Sequence, residues 1–268
     1  MQTKEALFVK DMHMHTDYCP HASRDKAEDY ILKSIEKNIV EIAFTEHAPL
    51  PMDDTVPARD SAMSLADVKP YLQEISMLKE KYRDRIIVNA GFEIDYIEGR
   101  ENETTEFLKI HPETIPYSIL SVHFVLIDGK YFCIDYSPGS FREKADEVGY
   151  EVLVKAYENT LMKALSNPYG SLTPKRIGHL DLIKKFKGFH GRSHDMDLDK
   201  ILETVKKNGY SLDINTSGYD KEYCREPYPS IDIIRKAVSL GIPVVTGSDA
   251  HSANEVGRHF EQVYEYLE

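Results

Sequence analysis

Short apolar runs rich in β-branched residues alternate along this chain with longer stretches whose apolar positions recur every three to four residues. The short runs predict strands over 6–11, 41–45, 86–94, 117–122, 176–179, 211–214 and 243–247. Several are too apolar for a half-exposed strand, which suits a parallel sheet covered on its outer side by helices. Between them, Ala27, Tyr30, Ile31 and Ile35 share one helical face, and Leu65, Val68, Leu72, Ile75 and Leu78 repeat the pattern. Gly209 and Gly241 stand where two helical patterns stop, as expected of residues just past a helix end. Ser252 with Glu255 is a capping-box match that predicts the start of a last helix. The longest helical stretch is 143–165, with Gly149 as its weak point. Residues 49–64, with three prolines and several Asp, read as a long loop. Strand–helix alternation implies an α/β fold with right-handed crossovers. Seven strand signals rather than eight predict a barrel that departs from the eight-fold form, at a chain length of 268 residues that suits one barrel domain over 1–268.

The chemistry-bearing residues fall at the ends of those runs. The first ends in Asp11-Met12-His13-Met14-His15; residues two apart on a strand point the same way, so His13 and His15 can reach one metal. His21 follows six residues later. Thr45-Glu46-His47 closes the second run, Glu93 lies near the end of the third, and His123 ends the fourth. His179 ends the fifth, Asp213-Ile214-Asn215 ends the sixth, and Asp249-Ala250-His251 follows the seventh. A barrel's active site lies at the C-terminal ends of its strands. Seven of eleven histidines belong to this set, which core packing does not require and a multi-metal site does. His111, His190, His194 and His259 read as surface or satisfied side chains, His259 within the last helix. Cys19 reads as a packed thiol.

Charge and cysteines narrow the class. A net charge of −12 opposes nucleic-acid binding, which rests on neutralising phosphates with Lys and Arg. Three scattered cysteines, Cys19, Cys133 and Cys224, argue against a disulfide framework and for a reducing compartment. The first residues lack the apolar run of a signal peptide, and no stretch approaches the ~18 apolar residues of a membrane span. A cytoplasmic enzyme with no membrane partner is the expectation.

His13-x-His15, His21, the T-E-H around His47, Glu93, His123, Gly178-His179 and Asp249-x-His251 resemble, in order and over nearly the whole chain, the motifs of the polymerase and histidinol phosphatase (PHP) family. Within it, PHAS, FTEHAPLP, GFEIDYIEG, SVHF and the stretch Ile134-Asp135-Tyr136-Ser137-Pro138 are similar to the monofunctional histidinol-phosphate phosphatases. The resemblance implies a distorted (β/α)7 TIM-like barrel holding up to three divalent metals: Zn, Fe or Mn. By similarity, one takes His13, His15, Glu93 and Asp249. A second takes the bridging Glu93 with His123 and His179, and a third takes His21, His47 and His251. Mixed His and carboxylate shells do not choose among these ions.

The activity implied is hydrolysis of L-histidinol phosphate, a small-molecule phosphate ester of histidine biosynthesis, by a metal-bridged hydroxide. Glu93, Asp249 and His251 are the catalytic candidates. Arg176 and Arg258 are candidates to bind phosphate, a surface role being the alternative for each. The general acid is unassigned, with Asp249 or a metal-bound water able to serve. Recognition of the amine and imidazole is assigned to the 49–64 loop and the acidic residues near Asp95. Two rivals stand beside this: a PHP phosphoesterase acting on nucleotides or phosphotyrosine, and an amidohydrolase-like barrel acting on C–N bonds.

Overall fold

The computed structural model describes residues 9–191 and 195–267. Residues 6–8 of the first predicted strand and His194 lie outside them. The strands are β1 (Lys10–Asp11), β2 (Glu41–His47), β3 (Ile87–Asp95), β4 (Ile119–Ser121), β5 (Phe124–Ile127), β6 (Lys130–Cys133), β7 (Arg176–Ile177), β8 (Ser211–Asn215) and β9 (Val244–Gly247). Seven of them form one parallel sheet in the order β1-β2-β3-β4-β7-β8-β9, and each falls within a residue or two of a predicted run. The sheet curls until its edges meet. Met12 N donates to Thr246 O at 3.0 Å, Asp249 N to His13 O at 2.8 Å and His15 N to Ala250 O at 2.8 Å. These bonds join the first and last strands, so the (β/α)7 barrel exposes no open edge there.

The helices α1 (Ala27–Glu36), α2 (Val68–Tyr82), α3 (Glu101–Ile110), α4 (Pro138–Val148), α5 (Tyr150–Ala164), the single turn α6 (Lys187–His190), α7 (Leu198–Lys207) and α8 (Ile231–Ser239) lie between the strands. None is long and apolar enough to cross a membrane. In α1, Ala27, Tyr30 and Ile31 are buried as the pattern requires. In α2, Val68, Tyr71, Ile75 and Leu78 are buried, and Tyr71 Oη donates to Phe44 O and Gly91 O, both at 2.9 Å, tying the helix to β2 and β3. Leu65, predicted on that face, is 72% exposed because the helix starts three residues later. Gly209 and Gly241 take φ of 68° and 70° just past α7 and α8.

Three readings are corrected. The 143–165 helix is two helices, because Gly149 takes φ of 95° and turns the chain between α4 and α5. The Ser252–Glu255 capping box is present but opens only a 3-10 turn, Ala253–Glu255. Gly257 (φ 62°) and His259 (φ 57°) then interrupt the helical path, so His259 and Arg258 lie on turns. The antiparallel hairpin β5–β6 was not anticipated; it closes on Asp128-Gly129, both at positive φ.

Candidate metal centre

All the ligand-type side chains converge on one rim of the barrel, around the buried carboxylate of Glu93 near the end of β3. The extended chain after β1 places His13 Nε2 and His15 Nε2 3.1 Å apart. Glu93 Oε2 is 3.4 Å from each, and Asp249 Oδ1 lies 3.7 Å from His13 Nε2 and 3.3 Å from His15 Nε2. His47 Nδ1 stands 3.1 Å from the same Glu93 oxygen. The other oxygen, Oε1, faces His179 Nε2 at 2.8 Å and His123 Nε2 at 3.8 Å, and accepts Ser121 Oγ at 2.6 Å. A third group sits outward: His21 Nε2 and His251 Nε2 are 3.1 Å apart, and the His47 ring centre is 5.2 Å from that of His21 and 6.1 Å from that of His251.

In several of the histidines the ring nitrogen facing away from the cluster is held by an oxygen. His13 Nδ1 donates to Asp213 Oδ2 at 2.8 Å, His123 Nδ1 to Asp95 Oδ1 at 2.8 Å, and His21 Nδ1 to Asp60 O at 2.8 Å. Such partners fix the ring and leave the lone pair of Nε2 toward a cation. Asp249 is oriented likewise: Asn215 Nδ2 at 3.1 Å and Ser217 Oγ at 3.0 Å both donate to Oδ2, which leaves Oδ1 facing His15. The backbone of the site is shaped for this. Asp249 (φ 49°) and His179 (φ 21°) occupy the left-handed region, a strain found where side-chain aim matters. Gly247 is required because a Cβ there would stand 2.4 Å from His13 Cβ, and Gly178 because one would stand 2.2 Å from Ser121 Oγ.

Electrostatics follow from this crowding. Burial opposes charge on His13, yet its imidazolium is held well above its ordinary range because Asp213, Glu93 and Asp249 face it. Burial and neighbouring imidazoles push His47 and His251 well below theirs. Glu93 and Asp249 stay well below the usual carboxylate range despite burial, because histidines surround them. Beside this shell, burial pushes Glu46 up to about 7. Imidazole nitrogens paired at 3.1 Å around shared carboxylates repel unless something cationic lies between them. The donor set fits divalent metals with nitrogen and oxygen preference, and three groups of donors lie within ligating reach.

The structure therefore brings His13, His15, His21, His47, Glu93, His123, His179, Asp249 and His251 together. Cys19 is buried, and its Sγ lies within 4.8 Å of donor atoms of His15, His47 and His251, nearer the cluster than a wall thiol. The two arginines separate. Arg258 lines the cleft over the cluster, a cavity of about 270 Å3, with its guanidinium on Ser248 O at 2.9 Å and Asp249 O at 2.7 Å. Arg176 is outside the cleft lining: it is buried in the barrel, donating to Tyr117 O at 2.9 Å, with Asp213 Oδ1 3.9 Å away. Its place as a phosphate contact is corrected to a support beneath His13. Sequence reasoning noted Asp213 as the polar ending of an apolar strand and Asp135 within a motif stretch but gave neither a role at the site. It passed over Ser217, Lys185 and Lys221, which carried no local signal.

A closed parallel barrel with a histidine–carboxylate cluster at the C-terminal rim defines a metal-dependent hydrolase. The family model described as PHP domain matches residues 11–217, a second described as PHP-associated matches 233–265, and the chain belongs to the PHP family. The histidinol-phosphatase of Bacillus subtilis (strain 168) is 38% identical over 263 residues, 96% of this chain and 98% of that one. A candidate histidinol phosphatase from Listeria monocytogenes superposes with a TM-score of 0.88 at 33% identity, covering 94% of this chain and 99% of its own. The histidinol phosphate phosphatase of Lactococcus lactis subsp. lactis Il1403, solved with Zn, L-histidinol and phosphate, shares the fold at a TM-score of 0.72 and 21% identity, over 97% and 94% of the two chains.

Proposed function

We propose that this chain hydrolyses L-histidinol phosphate to L-histidinol and phosphate with divalent metals held at the Glu93 cluster. The observation that carries the reading is end-to-end similarity to the Bacillus subtilis histidinol-phosphatase, combined with a donor set that is complete in this chain. His13, His15, Glu93 and Asp249 would hold one metal, Glu93 with His123 and His179 a second, and His21, His47 and His251 a third. Zn, Fe and Mn all suit such donors. Bound there, the metals supply Lewis acidity, activating water near neutral pH and neutralising charge on the phosphoryl oxygens.

The chain's own residues arrange the rest. Glu93 presents one oxygen to each of two donor groups and so fixes their separation. Asp249, ionised and with Oδ2 held by Asn215 and Ser217, presents Oδ1 to accept a proton from the attacking water. His251 closes the third donor group beside His21. A second cavity of about 270 Å3 adjoins the cleft and shares His21, His47, His123, Asp135 and Lys185 with it. Its wall carries Asp60, Ser61 and Asp135 beside Val56, Phe124 and Tyr136. Acidic groups next to apolar ones suit a leaving group with an ammonium and an imidazole, and Asp60 and Ser61 come from the 49–64 loop. The barrel acts as one catalytic unit over 1–268: β9, within the PHP-associated match, pairs with β8 of the PHP domain match.

The test is phosphate release from L-histidinol phosphate beside nucleotides, sugar phosphates and phosphotyrosine, with Zn-, Mn- or Fe-loaded protein. The expected result is a kcat/KM for L-histidinol phosphate well above every other ester. Equal or better turnover of another ester overturns the substrate and keeps the phosphoesterase.

A further inference from the structure

Three cations line the cleft over the metal cluster: Lys185, Lys221 and Arg258. Two are spoken for. Lys185 Nζ donates to Asp135 O at 2.8 Å and Asp135 Oδ2 at 2.9 Å. Arg258 spends its guanidinium on the carbonyls of Ser248 and Asp249, with Glu255 Oε1 3.1 Å and Asp220 Oδ2 3.4 Å away. The ammonium of Lys221 makes no hydrogen bond or ion pair among the described residues.

The placement of Lys221 is as specific as that of the metal donors. It follows the 3-10 turn Thr216–Asp220, which leaves the C-terminal end of β8. Asn215 Oδ1 caps that turn by accepting Ser217 N at 2.9 Å, and the same Asn215 holds Asp249 through its Nδ2. Lys221 N donates to Gly218 O at 3.2 Å, and Lys221 O accepts Cys224 N at 3.0 Å, so its backbone is pinned on both sides. A Cβ on Gly218 would stand 2.1 Å from Glu226 O, which keeps the turn against the wall behind it. One residue, Asn215, thus sets both a metal carboxylate and the turn that carries Lys221.

A part-buried cation with no counter-ion is costly unless an anion arrives. Burial, and then repulsion from Lys185, lower the Lys221 ammonium from its usual range, whereas Asp135 holds Lys185 above its own. In a protein of net charge −12, a lysine that lines a metal cleft with no direct hydrogen bond or ion pair among the described residues, Asp249 and Glu255 acting on it only at longer range, marks where substrate charge belongs.

We propose that Lys221 binds the phosphoryl group of the substrate, its ammonium donating to a non-bridging phosphate oxygen at the cleft whose donors would hold the metals. This rests on the phosphomonoester reading above. Arg258 is the wall that aims Asp249 by binding its carbonyl, and Lys221 is the cation left for the ligand.

The test compares metal-loaded wild type, Lys221→Met and Lys221→Arg at matched metal content, reading product inhibition by inorganic phosphate and by L-histidinol separately. Expected for Lys221→Met is a phosphate Ki weakened roughly ten-fold or more, the scale of one charge-assisted hydrogen bond. The L-histidinol Ki stays unchanged, and Lys221→Arg recovers part of the phosphate affinity. An unchanged phosphate Ki, or equal weakening toward both products, overturns the proposal. If wild type does not turn over L-histidinol phosphate, the function reading fails by itself; calorimetric titration of inorganic phosphate into the same three proteins then decides Lys221 on the same criteria.

Discussion

His13 Nδ1 and Asp213 Oδ2 meet at 2.8 Å across 200 residues of chain, one from the segment after β1 and one from β8. Both groups are fully buried, and Asp213 Oδ1 faces Arg176 at 3.9 Å. The pair therefore stands on a charged shelf inside the barrel, with the imidazole above it turned toward Glu93 and Asp249. A carboxylate can only accept here, so Nδ1 keeps its proton and Nε2 is the nitrogen that a cation would take once its own proton is displaced.

Asp213→Asn keeps the shape of that shelf and removes its charge. The amide can present its NH2 to Nδ1, which favours the wrong tautomer. Metal affinity is expected to fall about 10- to 100-fold, the usual cost of losing such a partner. Competition against a chromophoric chelator measures it. Wild-type affinity in the variant would remove Asp213 from any role in tuning the metal.

Gly247→Ala tests how tightly β9 and His13 are fitted. The new methyl would lie 2.4 Å from His13 Cβ and 3.0 Å from Asp213 Oδ1, so a ligand or its partner must move. Overpacking of this kind costs about 1–3 kcal/mol. A lowered urea midpoint together with reduced metal binding is expected. Wild-type behaviour in both would show that the strands yield without disturbing the site.

Much of this was legible in the sequence because barrel strands and their terminal ligands are local patterns. Glu41–His47 and Ile87–Asp95 are apolar runs that end in ligand-type residues, and the structure carries both as strands to the rim. The hairpin β5–β6 was also legible, since Phe124–Ile127 and Lys130–Cys133 flank Asp128-Gly129, a two-residue turn signal; its antiparallel pair stands apart from the parallel sheet. The last helix was misread because two left-handed residues, Gly257 and His259, override the capping box. Arg176 misled for a metric reason. It stands three residues before His179, about 10 Å along an extended chain, and so at the level of Asp213's support rather than of the cleft. Lys221 left no local mark, since only the turn after β8 brings it to the rim.

Lys184 bears on stability apart from the site. Its ammonium is fully buried, 2.7 Å from Asp181 Oδ2 and 3.0 Å from Glu226 Oε1, and donates to Pro227 O at 2.8 Å. Lys184→Met fills similar space but strands the Asp181 carboxylate, whose remaining donor is Ser230 N at 3.0 Å. Breaking one side of a buried pair costs about 3–5 kcal/mol. Urea denaturation should show a loss of that size at pH 7. A loss under about 1 kcal/mol would mean that water reaches Asp181 in the variant.

Metal removal joins the site to the fold. The donors come from the ends of β2 and β3 and from the segments after β1, β4, β7 and β9, so any cation bound there cross-links the barrel rim. A ligand that binds only the folded chain stabilises it by about 2.7 kcal/mol at a hundred times its Kd. Exhaustive chelation is therefore expected to lower Tm by roughly 5–10 °C, at about 2–4 °C per kcal/mol for a chain of this size. The sign of the pH dependence follows from His13, whose imidazolium the facing carboxylates stabilise in the metal-free chain. Metal must displace that proton, so the difference in Tm between loaded and chelated protein should grow as pH rises and shrink as it falls. Glu93→Gln, which removes the carboxylate shared by two donor groups, should abolish most of the difference at every pH. Scanning calorimetry of loaded and chelated protein from pH 6 to 9 decides it: equal Tm values throughout would mean that the cluster does not hold metal strongly enough to matter to the fold.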